Sequence, residues 1–279
     1  MTQLRLARVR PASPATPGEQ FFVANSAADF ASDSGATWTV VDTPFPGSPA
    51  NASSTPRPGW EPGDRVHQEG FEFLAPSVPA NVLGMAHNTG SAGRELPPQA
   101  FHKAATSVIG PGDAIELATD AGHVEPEAEL AIVIGRKVRG LTPDNARAAV
   151  LGFTIGNDVT SRDLQNSDEL WISAKSQDTF TPVGPWIVTA LDDADAAISI
   201  VHNGEALGAA SSADLGWKVD EILVYLTSFM TLHPGDLVLT GFPAECAPIA
   251  PGDTVTCRVE GIGELTNPVK AAPWEGSAA

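Results

Sequence analysis

The sequence is poor in positive charge, in cysteine and in long apolar runs. Its 279 residues carry 16 lysines and arginines against 34 aspartates and glutamates, a formal net charge of −18. Nucleic acids and anionic membranes are bound through basic patches, so this charge argues against both kinds of partner. No apolar run approaches the roughly 20 residues of a membrane-spanning helix, and the basic N-terminal segment lacks the apolar core of a secretory signal.

Two cysteines, Cys246 and Cys257, are too few for a disulfide framework. We expect reduced thiols in a cytoplasmic protein, with a single disulfide between them as the alternative. Charged residues make up only 18 % of the chain, whereas glycine (26) and proline (24) are plentiful. This composition predicts many turns and a strand-rich fold with few long surface helices.

The order of the segments predicts two parts. Short strands at residues 3–10, 21–24 and 37–41, followed by a Pro/Ser/Gly-rich loop at 44–64, predict a small N-terminal subdomain over residues 1–75. Residues 76–279 then form the main domain. There, a Gly/Ser/Pro-rich segment at 87–98 predicts an active-site lid or a plain surface loop. Helices are predicted at 141–149, with Thr142 as N-cap, and at 222–230, and Asn203-Gly204 predicts a hairpin.

The segment Glu127–Gly135 alternates as a strand does. Glu127 and Glu129 project from the same face, about 7 Å apart at the backbone. The opposite face is apolar and consists of Ala128, Leu130, Ile132 and Ile134. The unbroken apolar run predicts a strand covered on both sides, where carboxylates need a partner. The alternative is a solvated strand face, which is the commoner meaning of a Glu-x-Glu pattern.

A divalent cation between the two carboxylates would remove their repulsion and allow their burial. Asp158 is the natural third ligand, because it follows a second apolar strand at residues 152–156 and opens a polar segment. Only oxygen donors are on offer, which suits Mg²⁺, Mn²⁺ or Ca²⁺ better than zinc.

Further motifs follow in a fixed order along the chain. They are Glu127-Ala128-Glu129-Leu130, Ile134-Gly135-Arg136, Asn157-Asp158-Val159-Thr160-Ser161-Arg162-Asp163-Leu164-Gln165, Trp171, Lys175, Pro182-Val183-Gly184-Pro185-Trp186, Asn203-Gly204-Glu205, Pro234-Gly235-Asp236, Thr240-Gly241 and Gly261-Ile262-Gly263. As a set they resemble the fumarylacetoacetate hydrolase family over roughly residues 80–270.

The resemblance implies an α+β, predominantly β fold, a mixed β-sandwich roll with few short helices, assembled as a homodimer. It implies Mg²⁺ or Mn²⁺ held by Glu127, Glu129 and Asp158, and a substrate site lined by Arg162, Gln165 and Lys175. Family substrates are 2-oxo acids or 1,3-dicarbonyl compounds, often from aromatic catabolism. The metal chelates adjacent oxo and carboxylate oxygens as a Lewis acid, and a lysine and an arginine stabilise the enolate that leaves.

The sequence departs from the family pattern at two positions. Hydrolytic relatives carry a lid histidine that activates water with a glutamate, but Gly90 stands at that histidine position and His87 at a neighbouring tyrosine position. The base is therefore absent, or has moved to His87, His102 or Glu95. In addition, Phe242 replaces a substrate-binding threonine, which would narrow the pocket or favour an apolar substituent.

Three functions remain open. The first is a metal-dependent hydrolase that cleaves a C–C bond in an acylpyruvate or a similar 1,3-dicarbonyl acid, with Lys175, Gln165 and His87 as catalytic residues and Arg162 and Phe242 contacting substrate. The second is decarboxylation, tautomerisation or dehydration of a 2-oxo acid at the same metal, which needs no activated water. The third is a non-catalytic binding protein that retains the metal site.

Overall fold

A computed structural model describes residues 3–12, 19–26, 37–51, 60–119 and 121–273 of the chain. The fold class α+β, predominantly β, is confirmed. The first elements are β1 (Leu4–Pro11), β2 (Phe21–Ser26), β3 (Thr37–Val41), β4 (Arg65–His67), β5 (Phe71–Phe73), β6 (Val82–Ala86), α1 (Gly90–Glu95), β7 (Gln99–Lys103), β8 (Val108–Ile109), β9 (Ile115–Leu117), β10 (Val124–Glu125) and β11 (Ala128–Ile134).

The second half continues with strands and three helices. They are β12 (Val150–Asn157), β13 (Thr160–Ser161), α2 (Arg162–Ser167), α3 (Ile172–Lys175), β14 (Thr181–Val188), β15 (Ala197–His202), β16 (Glu205–Ala206), β17 (Ala210–Ser211), α4 (Val219–Phe229), β18 (Leu237–Leu239), β19 (Thr254–Val259) and β20 (Gly263–Ala271). Single 3₁₀ turns lie at Pro49–Asn51, Gln68–Gly70, Ala105–Ser107, Ala146–Ala149 and Ser212–Asp214.

Two large sheets carry the fold. The first runs β4-β3-β2-β1-β14-β12-β11-β18-β6-β7, with β5 beside β1 and β8 beside β14. The second runs β16-β15-β19-β20-β9, with β17 beside β15, and β10 pairs with β13 separately. One buried cluster joins the two sheets and α4, and includes Leu130, Ile132, Ile155, Ile198, Ile200, Ile222, Leu226, Val255 and Leu265.

Strand β11 lies at the centre and has the two faces that its alternation predicts. Leu130 and Ile132 point into the cluster between the sheets. Val133, on the other face, packs into a second cluster with Leu6, Phe22, Val82 and Leu237. All seven strand residues are buried, so both faces of β11 are covered. Glu127 lies just before the strand rather than within it.

Most predicted elements are confirmed, and one helix is wrong. The segment 141–149 forms only the 3₁₀ turn Ala146–Ala149. The Thr142 amide donates to the Asn145 Oδ1 at 2.9 Å. Asn145, at φ −125° and ψ 0°, lies outside the helical range, so the turn that starts at Thr142 and the turn Ala146–Ala149 do not join into one helix. The segment 87–98, predicted as a loop, contains α1. Its start is fixed by the buried Asn88, whose side chain bonds the backbones of Thr240 and Trp217.

The N-terminal strands β1 to β4 extend the first sheet, because β1 pairs with β14 in the register Arg5↔Val188. The division near residue 75 stays a prediction. The Asn203-Gly204 hairpin is confirmed between β15 and β16, with both residues at positive φ. Among the described residues, no helix is long and apolar enough to cross a membrane.

Candidate active site

The pairing of β11 with β12 brings the three predicted carboxylates together. The strands are antiparallel, with Ala128 opposite Asn157. The next residues outward, Glu127 and Asp158, therefore face each other, and the Asp158 amide donates to the Glu127 carbonyl at 2.9 Å. Glu129 follows two residues along β11, on the face of Glu127. Alternation along the strand therefore places Glu129 on the face of Glu127, and the register of β11 with β12 brings Asp158 beside them.

Glu127, Glu129 and Asp158 form a compact, buried cluster. One carboxylate oxygen from each lies within 4.8 Å of the others. Glu129 Oε2 accepts from the Gly241 amide, and Glu127 Oε2 accepts from Thr160 Oγ1 at 3.2 Å. These bonds fix the side chains of Glu129 and Glu127. Three close carboxylates match the preference of hard divalent ions for oxygen donors.

The cluster is electrostatically costly without a cation. Burial raises the pKa of Glu129 well above its ordinary range, and the charges of Asp158 and Glu127 raise it further. Burial would also raise the pKa of Asp158, but Lys103 and Lys175 outweigh burial and lower it. The donor set therefore fits a divalent cation, which would let all three carboxylates ionise together.

Two buried lysines contact the cluster. Lys175 Nζ donates to Glu127 Oε2 at 2.7 Å and to Asp158 Oδ2 at 2.5 Å. Burial alone would lower the pKa of Lys175, but Asp158 and Glu127 overcome burial and raise it. Lys103 Nζ donates to Asp158 Oδ1 at 2.6 Å. With this single close carboxylate, burial dominates and the pKa of Lys103 is lowered. Lys175 is therefore the firmly charged ammonium of the pair.

Arg162 is clamped between two acids. Its Nε donates to Glu125 Oε2 at 2.6 Å and its Nη2 to Glu127 Oε1 at 2.7 Å. Its Nη1 donates to Gln165 Oε1 at 3.0 Å, because the two residues lie one turn apart on α2. Glu125 also accepts from the Cys246 thiol, and burial with this bond raises the thiol pKa to about 12. That thiol stays protonated near neutral pH. Both cysteines are free, as expected.

The ends of β6 and β18 form the other side of the site. These strands are parallel neighbours, with Leu239 beside Gly84, so the segments that follow them lie together. His87 follows β6 and Phe242 follows β18. Asn88 joins the two segments, because its Nδ2 donates to the Thr240 carbonyl at 2.6 Å. It also bonds Trp217 through both side-chain ends, which fixes the start of the segment that carries α1.

A cavity of about 430 Å³ brings all of the predicted site residues together. Its lining includes Glu127, Glu129, Asp158, Arg162, Gln165, Lys175, His87 and Phe242. Of the three candidate bases, only His87 lines it. Glu95 is exposed on α1, and His102 is exposed on β7 with its side chain opposite to that of Phe101.

Sequence reasoning missed Lys103 and two aromatic residues. Phe101 and Trp171 line the cavity, and Lys103 contacts Asp158. Alternation along β7 places Phe101 and Lys103 on one face, which is a usable signal. Nothing local shows that this face meets Asp158, since 55 residues separate the partners.

Known proteins resemble the chain over most of its length. The model of the fumarylacetoacetate (FAA) hydrolase C-terminal domain matches residues 77–270. Protein Rv2993c of Mycobacterium tuberculosis is 44% identical over 206 residues, 71% of this chain and 78% of that protein. Mitochondrial oxaloacetate tautomerase FAHD2A of Bos taurus is 34% identical over 216 residues, covering 71% and 69%. The 5-carboxymethyl-2-hydroxymuconate delta-isomerase from Mycobacterium smegmatis superposes with a TM-score of 0.81 at 36% identity, covering 96% and 100%.

Proposed function

Because the chain belongs to the fumarylacetoacetate hydrolase family, we propose that it is a divalent-metal-dependent enzyme that interconverts the keto and enol forms of a 2-oxo acid. The observation that carries the proposal is the cavity floor, where three buried carboxylates lie beside the ammonium of Lys175. Two similar proteins bear the names of a tautomerase and an isomerase, which supports this reaction class.

Glu127, Glu129 and Asp158 would hold the metal, with Mg²⁺ or Mn²⁺ as the proposed ions and Ca²⁺ as a further possibility. When bound, such an ion supplies Lewis-acid polarisation of the 2-oxo group and so acidifies the neighbouring carbon. The donor chemistry supports a hard ion, since the cluster offers oxygen ligands alone.

Lys175 is proposed to stabilise the charge that develops as the substrate enolises. Its raised pKa keeps the ammonium protonated, and its burial makes the charge effective over a short distance. When the enol becomes the ketone, the Lys175 ammonium can donate a proton to C3, and the resulting amine takes the enol O–H proton, which restores the ammonium; enolisation is the reverse of these two transfers. Arg162 and Gln165, tied to each other at 3.0 Å, are proposed to orient the substrate carboxylate.

A C–C hydrolase acting on an acylpyruvate is the second candidate, and His87 is the observation that favours it. Hydrolysis needs a base to activate water, and imidazole suits that task near neutral pH. His87 is the one histidine among the described residues that line the cavity. Enolisation needs a proton carrier at C3 but no activated water, so Gly90 at the family's histidine position favours the tautomerase.

One NMR experiment separates the candidates. The Mg²⁺-loaded protein is incubated with a 2-oxo acid or an acylpyruvate in D₂O. A tautomerase replaces the C3 hydrogens by deuterium faster than the uncatalysed reaction, a hydrolase gives two fragments, and a decarboxylase releases CO₂. Lys175→Met is expected to lose catalysis, whereas Lys270→Met, at an exposed position of β20, serves as the matched control. Equal rates with and without protein would leave only a non-catalytic binding protein.

We also propose the homodimer that the family resemblance implies. Light scattering after gel filtration is expected to give about twice the chain mass of 28.9 kDa. A mass near that of one chain at micromolar concentration would refute the dimer without touching the catalytic proposal.

A further inference from the structure

One wall of the cavity is apolar and mostly aromatic. Met85, at the end of β6, and Phe101, on the neighbouring β7, line it together with Trp171 and Phe242. Met85 is buried, and Phe242 packs against the core between the sheets. These side chains come from four separate segments, so the wall is built by the tertiary fold and not by one local motif.

The wall is held in a fixed arrangement. The Phe101 ring lies directly over Gly84, where an added Cβ would sit 2.2 Å from its Cζ. Trp171 packs edge to face against Phe101 at 5.7 Å and against His87 at 5.4 Å between ring centroids. Trp171 and His87 both adopt left-handed backbone conformations, with φ of 60° and 55°. Bulky residues hold such conformations only where surrounding contacts enforce them, and these cluster at functional sites.

The cationic side chains that line the cavity are already neutralised. Two such side chains are among the described residues that line the cavity. Arg162 contacts Glu125 and Glu127, and Lys175 contacts Glu127 and Asp158. A second carboxylate that projects towards the wall would therefore meet apolar rings and the imidazole of His87, and among the described lining residues no lysine or arginine without an acidic partner. Burial of a charge without a partner is unfavourable, so the cavity disfavours a dicarboxylate.

We infer that the substrate is a 2-oxo monocarboxylic acid whose C3 carries an aromatic or bulky apolar group, as in an arylpyruvate. The inference rests on the proposed function, because the 2-oxo acid head must bind at the carboxylate cluster. The apolar group then packs against Phe101, Trp171 and Phe242. Aromatic rings offer large contact areas to such a wall, with edge-to-face packing as a further gain.

Calorimetric titration of the Mn²⁺-loaded protein tests this with three probes: pyruvate for the common head, phenylpyruvate for the apolar group and 2-oxoglutarate for a second carboxylate. Phenylpyruvate is expected to bind about 10-fold or more tightly than pyruvate, the scale on which a hydrophobic pocket distinguishes small apolar groups. 2-Oxoglutarate is expected to bind no more tightly than pyruvate.

Two variants assign the effect to the wall. Phe242→Thr is expected to remove most of the preference for phenylpyruvate over pyruvate, because a threonine fills less of the apolar wall. Phe229→Thr, on an exposed part of α4, is the matched control and should bind as the wild type does. An unchanged preference in Phe242→Thr would overturn the assignment to this wall.

The outcomes separate the inference from the proposed function. Suppose that pyruvate binds only when Mn²⁺ is present. If phenylpyruvate then binds no more tightly than pyruvate, or if 2-oxoglutarate binds more tightly than pyruvate, the apolar substrate class is refuted and the proposed function stands. If pyruvate binds equally with Mn²⁺ and with EDTA, the site at the carboxylates is refuted, and the inference fails with it.

Discussion

Replacing Glu129 by glutamine should separate metal binding from folding. The glutamine keeps the shape of Glu129 and can still accept from the Gly241 amide, as Glu129 does at 2.5 Å. It removes one of three charges packed within 4.8 Å. Since loss of an outer-shell partner already costs 10–100-fold in metal affinity, loss of a direct ligand should cost about 100-fold or more.

The size of the thermal effect follows from binding linkage. At a free Mn²⁺ concentration of 100 times the wild-type Kd, the ion stabilises the folded state by about 2.7 kcal/mol, whereas a 100-fold weaker site leaves about 0.4 kcal/mol. For a chain of this size, about 1 kcal/mol shifts Tm by roughly 2–4 °C. The Mn²⁺-induced shift should therefore fall from roughly 5–10 °C to about 1 °C, measured by thermal unfolding with Mn²⁺ and with EDTA.

The same variant makes an opposite prediction for the metal-free protein. Burial and the charges of Asp158 and Glu127 raise the pKa of Glu129 in the folded state. Its stabilising contribution is therefore present below the ordinary carboxyl pKa and is lost as pH rises through the raised value. Glutamine does not titrate, so in EDTA the variant should equal or exceed the wild type, increasingly so with rising pH. Glu205→Gln, on an exposed hairpin strand, is the control. An undiminished Mn²⁺ shift, or a variant less stable in EDTA at pH 8, would refute the reasoning.

Three further predictions follow. Lys175→Met should slow C3 hydrogen exchange of a 2-oxo acid by about 100-fold or more, the scale for losing one preorganised electrostatic group; near-normal exchange would exclude that role. If the enzyme is a hydrolase, His87→Ala should reduce acylpyruvate hydrolysis by about 10²–10⁴-fold and remove the acidic limb of the pH–rate profile. If it is a tautomerase, the same change should leave C3 hydrogen exchange of a 2-oxo acid largely intact. Asp253→Asn should destabilise the protein near pH 7 but not near pH 2. Hydrogen bonds from Asn203, His202 and a backbone amide lower the pKa of Asp253 to about 2, so the stability that the carboxylate contributes is lost as the pH falls from about 4 to 2. Equal destabilisation at both pH values in chemical unfolding would contradict this prediction.

The central strand and its carboxylates were predictable because they depend on local alternation. Every second residue of β11 enters one core cluster, and Glu129 projects from the other face. Asp158 was predictable because it follows an apolar run, and antiparallel neighbours place such a residue opposite the start of the partner strand. Both inferences depend on the two-residue alternation of a strand and on one reversal of chain direction between neighbouring strands. Both features can be predicted from the sequence.

Contacts between distant segments were not predictable in this way. Lys103 reaches Asp158 only because β7 joins the sheet beside β6, and no local pattern encodes that neighbour. The choice among His87, His102 and Glu95 likewise depends on which side of β7 and α1 faces the cavity. The prediction of a helix at 141–149 was wrong for a different reason, since the backbone of Asn145 leaves the helical range and divides the segment into two turns.

Lys175 shows why sequence cannot separate a catalytic lysine from a structural one. The ammonium is buried and contacts two carboxylates, so its removal should also destabilise the metal-free protein, on the scale of about 3–5 kcal/mol for an unpaired buried charge. We therefore expect Lys175 to contribute to stability as well as to catalysis. A divalent ion among the same carboxylates supplies positive charge again. Mn²⁺ should therefore restore much of the stability of Lys175→Met but none of its exchange activity, because the ion cannot provide the positioned proton and charge that face the substrate.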